Sequence, residues 1–138
     1  MWIIYALLSA FTAALTTIFG KIGVHEIDTT LATTVRSIIM AIFLISVATV
    51  TGKLNFNLSQ WTNKDMIAVL LSALAGALSW LFYFVALKQA QASQVASIDR
   101  LSLVFIVILA FLFLGESLTL LKISGVILMI IGAIAITI

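Results

Sequence analysis

VASIDRLSLVFIVILAFLFL, residues 95–114, carries an aspartate beside an arginine and then no charge from Leu101 to Leu114. With Gln94 it makes a run of about 20 residues, the length a helix needs to cross a bilayer. Its apolar residues are continuous rather than alternating, which argues for a spanning helix and against a barrel strand. Working outward, four more segments qualify, at 2–22, 30–51, 66–88 and 118–138. The expectation is an all-α integral membrane protein with five transmembrane helices packed almost end to end.

Composition agrees. The chain has 138 residues, of which 64% are hydrophobic and 9% charged, with mean hydropathy +1.32. A soluble domain carries about 25% charged residues. No polar stretch is long enough for a separate soluble domain, so residues 1–138 read as one transmembrane domain. The opening MWIIYALLSAFTAALTTIFG lacks the basic head of a signal peptide and exceeds a cleavable apolar region, so it reads as a retained span. Cysteine is absent and His25 is the one histidine, which argues against thiolate or histidine metal centres. No basic run suggests nucleic acid. Gly-rich phosphate loops, nucleophile elbows and metal-ligand spacings are missing. An enzyme is therefore not expected, and no cofactor or metal is called for.

The longest connection, GKLNFNLSQWTNKD at 52–65, places Phe56 and Trp61 for the interface. Thr62 followed by Asp65 has capping-box spacing at the start of the third span. Five spans put the termini on opposite faces. Lys53, Lys64 and Lys122, with Asp65 and Glu116, fall on the N-terminal face. Lys21, Arg36, Lys88 and Arg100, with Glu26, Asp28 and Asp99, fall toward the other. Excess Lys and Arg normally marks the cytoplasmic side. Three against four is almost no excess, and it favours insertion both ways round.

Asp99 and Arg100 are adjacent, so on a helix they project about 100° apart and cannot neutralise each other well. Arg100 is long enough to snorkel; Asp99 is not. Arg36 lies six residues beyond Thr30 and Asp99 six beyond Ser93, each on the order of 9 Å inside the membrane. An ion pair between Arg36 and Asp99 is the expectation. A competing one starts the fourth helix at Ser97 and makes Asp99 a first-turn acid on the helix dipole. As the embedded acid, Asp99 would be costly to bury unless paired, and pairing with Arg36 would offset that cost.

Gly76, Trp80, Tyr83 and Leu87 share one helical face, with Phe84 close to it. Such an aromatic wall suits a path for apolar or cationic organic solutes, or for Tyr83 an interfacial belt. Small residues recur at Ser9, Ala13 and Thr17, at Ser72 and Gly76, and at Gly125 and Gly132, a pattern that lets helices approach closely. Thr12 and Thr16 could face a path instead. Glu116 and Ser117 are expected to satisfy open amides where the fifth span begins. Lys21 and Lys88 end spans one and three, where each snorkels or attracts anions. His25, Glu26 and Asp28 read as a solvated turn.

FGKIG at 19–23, Arg36, SWLFYFVALKQAQASQVASIDRLSLV at 79–104 and FLGESLTLLKISGVILMIIGAIAI at 113–136 together resemble the drug/metabolite transporter superfamily. The likeness is to the short, five-helix members of its EamA branch, and it covers essentially the whole chain. It implies a multi-pass protein of the inner or plasma membrane that moves a small metabolite or drug-like compound by alternating access. Longer members carry two such units, inverted relative to each other. A single unit cannot enclose a path, so the resemblance and the even charge balance together imply an antiparallel homodimer. A parallel dimer or a second related chain is the rival assembly. A non-transporting subunit of a partner complex and a lipid or lipid-linked flippase are the alternative functions. Glu116 matches a frequent family position. Two departures stand out: Ser97 replaces the proline that often precedes the Ile-Asp pair, so a proline-induced break is not encoded. Span one also lacks the central acid on which the smaller multidrug exporters rely.

Overall fold

The computed structural model describes residues 2–54 and 61–138; Phe56 lies outside the described residues. Among the described residues six helices occur in chain order: α1 (Trp2–Gly23), α2 (Thr29–Val50), α3 (Asn63–Gln89), α4 (Ala92–Asp99), α5 (Ser102–Leu114) and α6 (Leu120–Thr137). Taking α4 and α5 as one span, five are long and apolar enough to cross a membrane. No strand occurs among the described residues.

Helix is dictated by the solvent, because hydrocarbon offers backbone groups no partner and each must be satisfied within its own segment. The hydroxyls obey the same rule. Thr12 Oγ1 donates to the Leu8 carbonyl at 2.9 Å, Thr16 to Thr12 at 3.0 Å and Ser46 to Ile42 at 2.8 Å. Thr12 and Thr16 are thus satisfied by their own helix and need no aqueous path.

Local sequence sets the ends. Asp28 caps α2, accepting from the amides of Thr30 at 2.9 Å and Leu31 at 3.0 Å. Its place in the expected solvated turn is therefore a structural one, while His25 and Glu26 are exposed. At α3 the capping box is complete: Thr62 N–H donates to Asp65 Oδ2 at 3.1 Å and Asp65 N–H to Thr62 Oγ1 at 3.2 Å. Gly115 ends α5 with φ 67°, and its amide and that of Glu116 both donate to the Ala110 carbonyl. That left-handed backbone costs glycine least.

The cap of α6 corrects an expectation. Residues 115–119 are not helical, and Thr119 caps α6 by accepting from the Lys122 amide at 3.2 Å. Glu116 and Ser117 precede the helix by too much to do so. Each instead receives the Lys122 ammonium, the Glu116 carboxylate at 3.3 Å and the Ser117 carbonyl at 3.1 Å.

The chain forms two compact units, one of Met1–Phe19 with Gln89–Ile138, the other of Gly20–Lys88. In the first, α4 packs against α6, burying Val95 and Ala133, and Gln94 Nε2 donates to the Thr137 carbonyl at 3.1 Å. In the second, the end of α1, the turn after it, α2 and α3 bury Val24, Thr33, Phe84 and Leu87.

Candidate functional site

The second unit gathers the aromatic face of α3. Gly76, Trp80 and Tyr83 are half-buried, and Phe84 and Leu87 are buried, while Phe82 and Val85 on the opposite face are exposed. The three rings touch: Trp80 and Tyr83 meet edge-on at 5.6 Å between centroids, Trp80 and Phe84 at 5.9 Å, Tyr83 and Phe84 at 6.4 Å. One wall of the kind expected from the spacing is present.

What occupies that wall was not foreseen. The Arg36 guanidinium carbon lies 3.7 Å from the Trp80 ring centroid and 5.5 Å from that of Phe84. Arg36 is seven residues into α2, about 10 Å from the helix start at 1.5 Å per residue. A cation over an indole gains roughly 0.5–2 kcal/mol, more as water is excluded. Taking an ion out of water costs several kcal/mol even after relaxation, so the ring offsets only part of the penalty. A ring contact offers the guanidinium N–H donors no conventional acceptor. Nη1 is buried and has no hydrogen-bond partner among the described residues. The chain's own cation thus lies against Trp80.

Packing beside this site is tight at one point. A Cβ on Gly20 would come within 3.2 Å of Phe84 Cζ and 3.6 Å of Leu87 Cδ1. Glycine there lets α1 and α3 approach and seats Phe84. The helical glycines expected to allow close approach, Gly76, Gly125 and Gly132, have nothing within 4 Å of such a Cβ. Sequence reading missed Gly20 as a packing residue, although its place in FGKIG at a helix end was a signal.

Lys21 Nζ donates to the Leu87 carbonyl, and Lys88 Nζ donates to that of Ile27 at 3.2 Å. Leu87 is in the last turn of α3, where carbonyls lack amide partners and the dipole is negative. The two lysines therefore tie the end of α3 to α1 and to the turn beyond it.

The first unit holds the stretch around Asp99. α4 begins at Ala92, well before Ser97, so Asp99 is the last residue of a helix and not a first-turn acid. Its span is interrupted. Leu101 N–H donates to the Ile98 carbonyl, Leu103 to Arg100 and Val104 to Leu101, three residues back instead of four. This is a 3₁₀ turn, made without proline. Ser97 Oγ donates to the Ser93 carbonyl at 2.8 Å, a bond that bends helices. Asp99 and Arg100 are exposed within this unit, flanking the break. Arg36 and Asp99, expected to pair, belong to different units.

Glu116 and Lys122 line a cleft of about 280 Å³ between α5 and α6, whose other walls include Leu103, Ile106, Gly125 and Met129. Its lining is mostly apolar. No group of three or more His, Cys, Asp or Glu residues arranged to hold a metal occurs among the described residues.

A model of the EamA-like transporter family matches residues 1–138, the full length of the chain. The chain belongs to that family. A relative in sequence, the "Uncharacterized transporter in cobO 3'region" of a Sinorhizobium species, is 39% identical over 132 residues, covering 96% of this chain and 93% of its own. No solved structure matches. As an EamA-like protein with five apolar helices, it is a multi-pass membrane protein of transporter type.

Proposed function

We propose that this EamA-like protein carries a small organic solute across the inner or plasma membrane by alternating access, working as an antiparallel homodimer. The observation that carries the transport reading is Arg36. A charge so far into a span is costly, and such charges usually mark a substrate or ion path. Here one buried donor has no acceptor among the described residues, beside a wall formed by Trp80, Tyr83 and Phe84. A subunit that merely supports a partner complex gains nothing from that arrangement.

The dimer reading rests on two further supports. At most 6% of the apolar stretch of any span is buried, so the helix faces are open to lipid or to a second copy. Gly76, Gly125 and Gly132 have room beside them for a neighbouring helix. The nearly even Lys and Arg count supplies the opposite insertion that inverted pairing needs.

Orientation is tested with a single cysteine added after Ile138, since the natural chain has none. An impermeant thiol reagent should label one fraction in intact cells and the remainder only after lysis. Labelling from one side alone overturns the antiparallel dimer. A Gly76→Cys protein tests the path: labelling by a water-soluble reagent is expected, and complete protection would favour the non-transporting subunit.

A further inference from the structure

We infer that the Arg36–Trp80–Phe84 site binds the oxyanion of a small organic acid, a carboxylate or phosphate monoester, with the acid's apolar body against the aromatic wall. This deepens the transport reading, on which it rests in calling the ligand a substrate. Three observations converge. The guanidinium carbon sits 3.7 Å from the Trp80 centroid, so the cation is held against the indole. Nη1 is buried and has no partner among the described residues, so a donor is left unsatisfied. The neighbouring side chains of α3 are rings: Trp80 is half-buried, Phe84 is buried, and both lie within 5.5 Å of the cation.

The charge decides the class of ligand. A cation brought to this wall meets Arg36 already seated on it and is repelled. A neutral apolar solute could use the rings but would leave Nη1 unsatisfied. An oxyanion does both jobs, because the planar guanidinium fork matches a carboxylate or phosphate in two parallel hydrogen bonds. The rings then supply area for the rest of the molecule and exclude water from the charge pair.

The test uses the full chain, with Trp2→Phe and Trp61→Phe leaving Trp80 as the reporting indole. Emission is followed in phospholipid-free detergent while phenylacetate, phenyl phosphate, phenylacetamide or phenethylamine is added. The two anions should give a saturable change, with the amide and the amine about tenfold or more weaker. Arg36→Gln should weaken phenylacetate by a similar factor, and Arg36→Lys should restore part of it. Phenethylamine binding as tightly as phenylacetate overturns the inference, and that comparison needs no variant. Unchanged phenylacetate binding by Arg36→Gln also overturns it. If phosphatidylglycerol alone gives the change and no soluble anion competes, the acceptor is a lipid headgroup and the organic-acid site falls. Phenylacetate flux in proteoliposomes separates the two readings. Arg36-dependent binding without flux keeps the site and defeats transport, whereas flux of the amine with no anion preference does the reverse.

Discussion

Arg36 shows how one residue can be readable in position and unreadable in company. Its depth follows from counting residues in α2, but its place over Trp80 depends on how α2 and α3 face each other. Removing the ring while keeping apolar volume, as in Trp80→Leu, should destabilise the protein by roughly 0.5–2 kcal/mol, the range for a cation–π contact. Thermal unfolding in detergent checks this, and an unchanged midpoint would mean that the ring contributes nothing to holding the guanidinium. Lys21→Met removes a charged donor from the Leu87 carbonyl at the open end of α3. A loss of about 1.5–3 kcal/mol is expected by the same measurement.

Elements are where short local signals did most. The Asp28 cap and the Thr62–Asp65 box each lie within four residues of the amides they serve, so their chemistry is contained in the sequence. Asp28→Ala should cost about 1 kcal/mol through loss of the two amide bonds at the start of α2. The break between α4 and α5 is different. Without a proline to announce it, residues 95–114 read as one helix, and the 3₁₀ turn emerges only from the hydrogen bonds made. Tight, poorly aligned bonds open more readily than an α ladder. Amides of residues 101–104 should therefore exchange with deuterium about tenfold or more faster than those of 106–110 in α5. Equal protection across both would make the span mechanically continuous.

At the scale of the molecule, the balance of charge between faces is the most consequential sequence feature. Lys53→Gln with Lys64→Gln leaves Lys122 alone on the N-terminal face against Lys21, Arg36, Lys88 and Arg100 on the other. That imbalance should drive nearly all copies to insert with the second face in the cytoplasm. The cysteine after Ile138 would then be labelled only after lysis, and activity that needs both orientations should fall. Coexpression of a copy biased the opposite way should restore it. Full activity from copies of one orientation would argue for a parallel assembly.

The sequence by itself determined the solvent, the class and the spans, because bilayer thickness and backbone satisfaction act on every residue and leave a signal about 20 residues long. It also determined the aromatic face of α3, since helical spacing alone aligns Gly76, Trp80 and Tyr83. Tertiary structure decided what that face holds. Gly20 against Phe84, Lys21 on the Leu87 carbonyl and Arg36 over Trp80 join residues between 44 and 66 positions apart. Such contacts depend on the approach and rotation of whole helices, which no local spacing encodes.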